Sequence, residues 1–275
     1  MSYDLTKNFI IWDGPIKEEH RDISGTPTVT HGFTFSNLVD RAWLFGGKPV
    51  GNGTPTAMAN DIWRFEPQSG DSPWTQIPPG TNSTEERPYR GAGCNVPDLR
   101  RGYYLGGITD DPKDRQIHHY HHWLFEFDME SEKLQAFPVP QFVPVVNQSL
   151  VFLDTGTRSG ALVALGGSVE TGNGTLSKTQ LTSVFIFDIK SRTWIEQPVT
   201  GWNGNLDEDG TLDDKLPDGG IPRSRVSACA AVGSAQDKTS HNIFYLGGTN
   251  ETRGTGDSWI LSLPRSVLLP SNTRA

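Results

Sequence analysis

Apolar and polar residues follow a regular pattern along most of this chain. Four apolar runs end in a Gly-Gly doublet, and after each doublet a loop leads into a segment where apolar and polar residues alternate. Period-two alternation between stretches rich in Gly, Pro, Asp and Ser is typical of β-strands joined by turns. The doublets lie at 46–47, 106–107, 166–167 and 247–248, and the alternating segments at 61–67, 123–129, 184–190 and 257–263.

Three of the alternating segments are followed by a turn and a further aromatic residue, at Trp74, Phe137 and Trp194. This repeat resembles the kelch repeat, whose usual length is about 50 residues. The phrases R-G-A-G-C, F-D-I-K-S-R-T-W and S-H-N-I-F-Y-L-G-G are similar to those of kelch proteins from filamentous fungi, which are secreted or anchored at the cell surface. The resemblance covers about residues 3–264. It implies an all-β fold, a kelch-type β-propeller of four-stranded antiparallel blades.

We expect a single propeller domain over residues 1–275 with about four and a half blades. The resembled proteins need about six or seven blades to close a ring. The ring is therefore expected to be incomplete, with an exposed sheet edge, and a truncated chain is the favoured explanation. The predicted parts are a half blade at 2–13, blades at 26–78, 90–139, 147–199 and 223–264, an acidic loop insertion at 201–221 and an irregular tail at 265–275.

Composition and charge exclude some classes of partner and bear on the location of the protein. A net charge of -8 and a pI near 5.3 leave no basic face for nucleic acid. No apolar run reaches the roughly 18 residues that a membrane span needs, and the first residues carry no signal-peptide pattern. The expected location is extracellular or the cell surface if the parent gene supplies a signal peptide, and cytoplasmic otherwise.

The long loops indicate where a partner binds. In a propeller blade, the connections from strand two to three and from strand four to the next blade emerge at one end, and in this chain these are the long ones. Rigid sheets can carry variable loops at little cost to the core. The chain lacks the G-x-S-x-G, Walker, H-E-x-x-H and dinucleotide motifs of common enzymes. The leading hypothesis is therefore a non-enzymatic binding module that recognises a protein or a glycan through these loops.

An arginine followed by a cysteine four residues later occurs twice in the chain. Cys94 follows Arg90 by four residues, as Cys229 follows Arg225, which predicts equivalent places on two inner strands. We expect both cysteines to be small buried residues, too far apart for a disulfide. Kelch proteins that hold acidic peptides imply a carboxylate-binding role for Arg90 and Arg225. Ion pairing within the propeller is the alternative.

Histidines and carboxylates are concentrated between residues 110 and 122. Asp110, Asp114 and His118 have a spacing that resembles the iron motif of plant specifier kelch proteins, with Asp in place of the leading Glu. This resemblance implies the alternative function, a metal-dependent lyase or isomerase using iron. A solvated polar rim explains the same composition without a bound metal.

The acidic insertion contains a second candidate metal site. Oxygen-bearing side chains at every second residue, with a Gly at the sixth place, are typical of loops that wrap calcium. The insertion therefore offers a candidate site for calcium as a cofactor, although a flexible acidic insertion has the same composition. The proposed ligands are Asn205, Asp207, Asp209 and Asp213.

Five N-glycosylation sequons lie in or beside the long loops. This is more than the roughly two expected by chance, and it favours a parent protein that enters the secretory pathway. Loops that are simply rich in Asn, Gly, Ser and Thr are the alternative. The acceptor residues are Asn52, Asn82, Asn147, Asn173 and Asn250.

Overall fold

The structure of the protein is a computed structural model. It describes residues 27–50, 62–69, 73–77, 88–111, 113–114, 116–156, 159–172, 174–201, 220–250 and 253–270. The strands of the first half are β1 (Val29–Thr30), β2 (Phe33–Ser36), β3 (Ala42–Phe45), β4 (Lys48–Pro49), β5 (Ile62–Phe65), β6 (Trp74–Ile77), β7 (Ala92–Val96), β8 (Arg101–Leu105), β9 (Ile108–Asp110), β10 (His118–Tyr120), β11 (Trp123–Asp128) and β12 (Lys133–Pro138). The strands of the second half are β13 (Ser149–Leu153), β14 (Ala161–Leu165), β15 (Ser168–Glu170), β16 (Leu176–Lys178), β17 (Ser183–Asp188), β18 (Thr193–Pro198), β19 (Thr200–Gly201), β20 (Cys229–Ser234), β21 (His241–Leu246), β22 (Thr249–Asn250), β23 (Arg253–Gly254), β24 (Ser258–Leu263) and β25 (Val267–Pro270).

Four sheets of successive antiparallel strands form the blades. From the inner to the outer strand they are blade 1 (β2-β3-β5-β6), blade 2 (β7-β8-β11-β12), blade 3 (β13-β14-β17-β18) and blade 4 (β20-β21-β24-β25). The inner strands β2, β7, β13 and β20 lie side by side in chain order. Each blade is therefore a meander, and the prediction of four-stranded antiparallel blades is confirmed. No closed ring is formed by the residues that the structure describes.

The Gly-Gly doublets allow neighbouring blades to approach closely. The second glycine of a doublet donates its backbone N–H to a carbonyl of the next blade. Both glycines have positive φ, a conformation that side chains disfavour. These inter-blade bonds run from Gly47 to Pro88 (3.0 Å), from Gly107 to Val145 (2.6 Å) and from Gly167 to Arg225 (2.9 Å).

The hydrophobic core lies between the blades rather than within one of them. Alternate side chains of each strand point to opposite faces of a sheet, so each inner blade packs against both neighbours. Phe35 of blade 1 stacks on Phe127 of blade 2, with ring centroids 5.9 Å apart. Two similar clusters fill the spaces between blades 2 and 3 and between blades 3 and 4.

Blade 4 differs from the predicted boundaries at its outer edge. The tail expected to be irregular, 265–275, contains strand β25, which pairs with β24. The short strand β19, which follows blade 3, pairs with β25 in parallel. The backbone of β19 thus stabilises β25, the outer strand of blade 4, which lacks the expected Trp.

Cys229 differs from the prediction as well. Cys94 is buried between blades 2 and 3, and burial raises the pKa of its thiol to about 12. Cys229 is exposed because it lies on the face of blade 4 that no described blade covers. Both cysteines are free. The predicted half blade at 2–13 and nearly all of the acidic insertion at 201–221 lie outside the described residues.

Candidate functional site

A small hairpin extends each blade beyond its Gly-Gly doublet. The residue or strand that follows the doublet pairs with the segment that enters the inner strand of the same blade, as in the bridge between Tyr89 and Ile108. The hairpins of blades 2, 3 and 4 are β9-β10, β15-β16 and β22-β23, and they emerge where strand two ends and strand three begins. They therefore lie at one end of the propeller, which we call the loop face. In blade 1 the corresponding pair is β1-β4, which joins the segment after the doublet to the segment that leads into the inner strand.

One residue with positive φ opens the inner strand of every blade. These residues have φ values between 53° and 59°, and none is a glycine. Two of them are linked to the next by backbone hydrogen bonds of 2.8 Å, from Asn147 N–H to the Arg90 carbonyl and from Ser227 N–H to the Asn147 carbonyl. They form an inner row beside the loop face, consisting of His31, Arg90, Asn147 and Ser227.

This row corrects the predicted equivalence of the two arginines. Arg90 corresponds to Ser227, because both open an inner strand with positive φ. Arg225 instead corresponds to Pro88, since both accept a hydrogen bond from the Gly-Gly doublet of the preceding blade. The prediction aligned the inner strands β7 and β20 by their Arg-to-Cys spacing, and this alignment is wrong by two residues.

The two arginines also lie in different environments. Arg225 is 1% exposed, and its guanidinium donates to both carboxylate oxygens of Asp257, at 2.5 and 2.8 Å. It also donates to the Gly247 carbonyl and the Thr255 hydroxyl. This geometry is that of an ion pair within blade 4 and does not favour contact with a partner. Arg90 is exposed and lies over the Tyr89 ring, 5.8 Å from its centroid.

Asp110 is the centre of a polar cluster between blades 1 and 2. It accepts hydrogen bonds from the Tyr89 hydroxyl and from Lys48 Nζ (2.5 Å), and it lies 3.0 Å from His118 Nδ1. Burial alone would raise the pKa of Asp110, but these donors hold it below its usual range. Partial burial, together with the bond to Asp110, raises the pKa of Tyr89. The cluster therefore fixes an ionised carboxylate between two hairpins.

The predicted iron ligands are only partly brought together. Asp110 and His118 face each other as a registered pair of β9 and β10. Asp114 lies in the turn of that hairpin, where its carboxylate accepts the Gln116 backbone N–H at 3.0 Å. Within the described parts of the chain, no three His, Cys, Asp or Glu side chains are arranged to hold a metal ion. The geometry does not support the iron-dependent alternative.

Two further histidines of this segment make contacts that stabilise the hairpins. His122 Nε2 lies 3.2 Å from Glu170 in the hairpin of blade 3. His121 Nε2 lies 3.0 Å from the Thr109 hydroxyl. Burial, with a smaller effect of the neighbouring histidines, lowers the pKa of His121 to about 4, so this imidazole is neutral near pH 7. The segment thus contributes structure to the loop face.

Several contributing residues were not predicted from the sequence. Lys48 directly follows a Gly-Gly doublet, Tyr89 precedes Arg90, and Tyr120 donates its hydroxyl to the Gly174 carbonyl of blade 3 at 3.1 Å. Their position relative to the doublets is a signal that could have identified them, because each doublet fixes the start of a hairpin. Together with Glu170 they join the hairpins of blades 1, 2 and 3.

The remaining predicted sites are only partly described. The proposed calcium ligands, Asn205, Asp207, Asp209 and Asp213, lie outside the described residues, as do the sequon positions Asn52, Asn82 and Asn173. Asn250 ends the short strand β22. Asn147 belongs to the inner row, and the hydroxyl of its sequon residue Ser149 donates to the Ala228 carbonyl at 2.7 Å. A buried, hydrogen-bonded Ser149 disfavours glycan attachment at Asn147.

Exposed apolar side chains are a further feature of the loop face. Large apolar residues are more often buried, so a group of them at one end of a domain is informative. Each of the first three hairpins contributes one such residue, and the connection from blade 2 to blade 3 contributes another. They are Val50, Ile117, Leu176 and Phe142.

The antiparallel four-stranded meanders and the glycine-mediated approach of neighbouring blades are those of kelch-type β-propeller blades. No family model matches the chain. The chain is similar to a protein described as a kelch repeat-containing protein, from the fungus Arthroderma benhamiae, with 25% identity over 92% of this chain. The match spans only 41% of that relative's length. This similarity supports the kelch-repeat family.

Proposed function

We propose that the chain is a non-enzymatic binding module that recognises a protein partner through its loop face. The exposed Val50, Ile117, Leu176 and Phe142 carry this proposal, because they project from connections at the same end of three blades. Apolar side chains beside Arg and Tyr are typical of the centre of protein interfaces. Arg90, which lies over the Tyr89 ring, supplies the arginine and the tyrosine of such an interface.

The inter-blade contacts support the same proposal. Lys48 to Asp110, His122 to Glu170 and Tyr120 to Gly174 each join the hairpin of one blade to the next. A surface that is already ordered loses less conformational entropy when a partner binds. The hairpins of blades 1, 2 and 3 therefore form a preorganised surface.

The sequons and the resemblance to fungal kelch proteins support a secreted or surface-anchored parent protein. This location is part of the proposal, and it favours an extracellular protein as the partner. A glycan ligand is the alternative outcome of the experiment below.

We expect Ile117→Asp to abolish partner capture. The full chain is immobilised, incubated with cell and culture extracts of the organism that produces it, and the retained proteins are quantified by mass spectrometry. A carboxylate at the centre of an apolar contact should reduce retention of the true partner by at least about tenfold. Val39→Asp is the matched control, because Val39 is an exposed aliphatic residue at the β2-β3 turn, on the opposite end.

Retention of the same proteins by the wild type, Ile117→Asp and Val39→Asp would show that the loop face is not the binding site. Loss with Val39→Asp alone would assign binding to the opposite end. Binding of the wild type to a glycan array, lost in Ile117→Asp, would keep the loop face and replace the protein partner by a glycan.

A further inference from the structure

The turn between the third and fourth strands of a blade contacts the blade before it. In blades 2, 3 and 4 the last residue of this turn has a positive φ, between 54° and 58°, and directly precedes the outer strand. These three residues occupy the same place in the turn, but they share no side-chain chemistry. They are Glu132, Arg192 and Ser266.

Glu132 of blade 2 binds two side chains of blade 1. Its carboxylate accepts the indole N–H of Trp43 at 3.0 Å, and its two oxygens lie 3.1 and 3.0 Å from one guanidinium nitrogen of Arg64. Trp43 and Arg64 are a registered pair of β3 and β5, so two neighbouring strands of blade 1 hold the carboxylate. The Arg64 and Glu132 side chains are only 24% and 19% exposed, and such a shielded ion pair is sensitive to replacement of either charge.

The turns of blades 3 and 4 contact the preceding blade by other means. The guanidinium carbon of Arg192, in blade 3, lies 4.4 Å from the centroid of the Phe137 ring, in the outer strand of blade 2. The Ser266 carbonyl, in blade 4, accepts the backbone N–H of Thr200, in the segment that follows blade 3, at 2.9 Å. The three interfaces therefore use an ion pair, a cation–π contact and a backbone hydrogen bond.

Blades with the same strand order could pair with the wrong neighbour. Repeat proteins misassemble in this way, within one chain or by exchange of repeats between chains. Two wrong pairings would be disfavoured here. Arg192 against blade 1 would meet the like charge of Arg64, and Glu132 against blade 2 would place a carboxylate on the Phe137 ring, whose face is electrostatically negative.

We propose that these turn residues specify the order of the blades. Glu132 and Arg192 each stabilise the correct neighbour and disfavour the other one, which is the combination that specificity requires. Ser266 adds a contact that depends only on the backbone. This inference concerns the assembly of the chain and is independent of the partner proposed for the loop face.

An exchange of the two charged residues tests the proposal. The full chain carrying both Glu132→Arg and Arg192→Glu keeps its composition and net charge, but both interfaces are mismatched. We expect its melting temperature to fall by at least about 5 °C. A glutamate at position 192 would match Trp43 and Arg64 of blade 1, a surface that blade 2 of the same chain covers. After unfolding in denaturant and refolding, light scattering should therefore detect a larger fraction of associated chains than for the wild type.

Asp257→Asn is the matched control for a loss of stability. It removes the carboxylate partner of Arg225 within blade 4 and leaves the three turn residues unchanged. It should lower the melting temperature and refold without additional association. An unchanged melting temperature in the exchanged variant would overturn the proposal. A lower melting temperature with no more association than Asp257→Asn would overturn it as well, because the turn contacts would then add stability without specifying the order.

Discussion

Gly106→Ala should destabilise the protein by more than about 3 kcal/mol, whereas Gly247→Ala should cost only about 1–2 kcal/mol. Both glycines open a Gly-Gly doublet with nearly the same φ, 66° and 63°. Both substitutions therefore pay the same cost for a side chain in the left-handed region. A Cβ on Gly106 would lie 2.2 Å from the Val145 carbonyl oxygen of the next blade, while a Cβ on Gly247 meets only the Thr255 carbonyl, at 3.5 Å.

Chemical denaturation of the two variants measures this difference. Gly247→Ala serves as the matched control because it isolates the conformational cost from the inter-blade clash. Equal losses of unfolding free energy in both variants would mean that Gly106 is not packed against a neighbouring blade. The stacking of blades 2 and 3 would then be wrong.

Asp257→Asn should lower the unfolding free energy by about 2–3 kcal/mol, less than for a fully buried pair because the Asp257 side chain is 44% exposed. Asp257 is the carboxylate partner of the fully buried Arg225, and it also accepts the indole N–H of Trp259 at 2.7 Å. The substitution preserves the size of the side chain but leaves the Arg225 charge uncompensated inside blade 4. The loss should appear in thermal and chemical denaturation alike.

An exposed ion pair provides the control for this prediction. Asp154→Asn removes the contact with Lys238, in which both side chains are over a third exposed, and it should cost less than about 1 kcal/mol. An Asp257→Asn variant as stable as Asp154→Asn would contradict the structural role of Arg225. Arg225 would then return as a candidate for partner binding.

The fold could be predicted from the sequence because two of its signals have direct physical causes. The period-two alternation of W-L-F-E-F-D follows from the pleat of β11, which buries Phe125 on one side and Leu124 on the other. The Gly-Gly doublets at 46–47, 106–107 and 166–167 follow from close contacts with the next blade that leave no room for a Cβ on the first glycine. Both patterns recur in every blade although the lengths of the loops differ between blades.

The register of the inner strands could not be predicted in the same way. The residue that opens each strand with positive φ is His31, Arg90, Asn147 or Ser227, and these four share no side-chain chemistry. The spacing from Arg to Cys was therefore a misleading guide. The outer strand β25 was missed because it lacks the closing Trp of the other repeats, although it pairs with the neighbouring strand β24. The additional pairing with β19, from a distant part of the chain, has no local sequence signal.

The candidate site shows the same division between local and long-range contacts. The approach of Asp110 and His118 followed from local spacing, because a hairpin brings them into register. Lys48 and Glu170 reach this region from other blades, and no local pattern marks such contacts.

The most direct test of the stacked blades is the scalar coupling across backbone hydrogen bonds, measured by NMR on isotope-labelled protein. The amides of Gly47, Gly107 and Gly167 should couple to the carbonyl carbons of Pro88, Val145 and Arg225, each in the next blade. Coupling of these amides to carbonyls of their own sheet, or rapid exchange of all three with solvent, would contradict the arrangement described above.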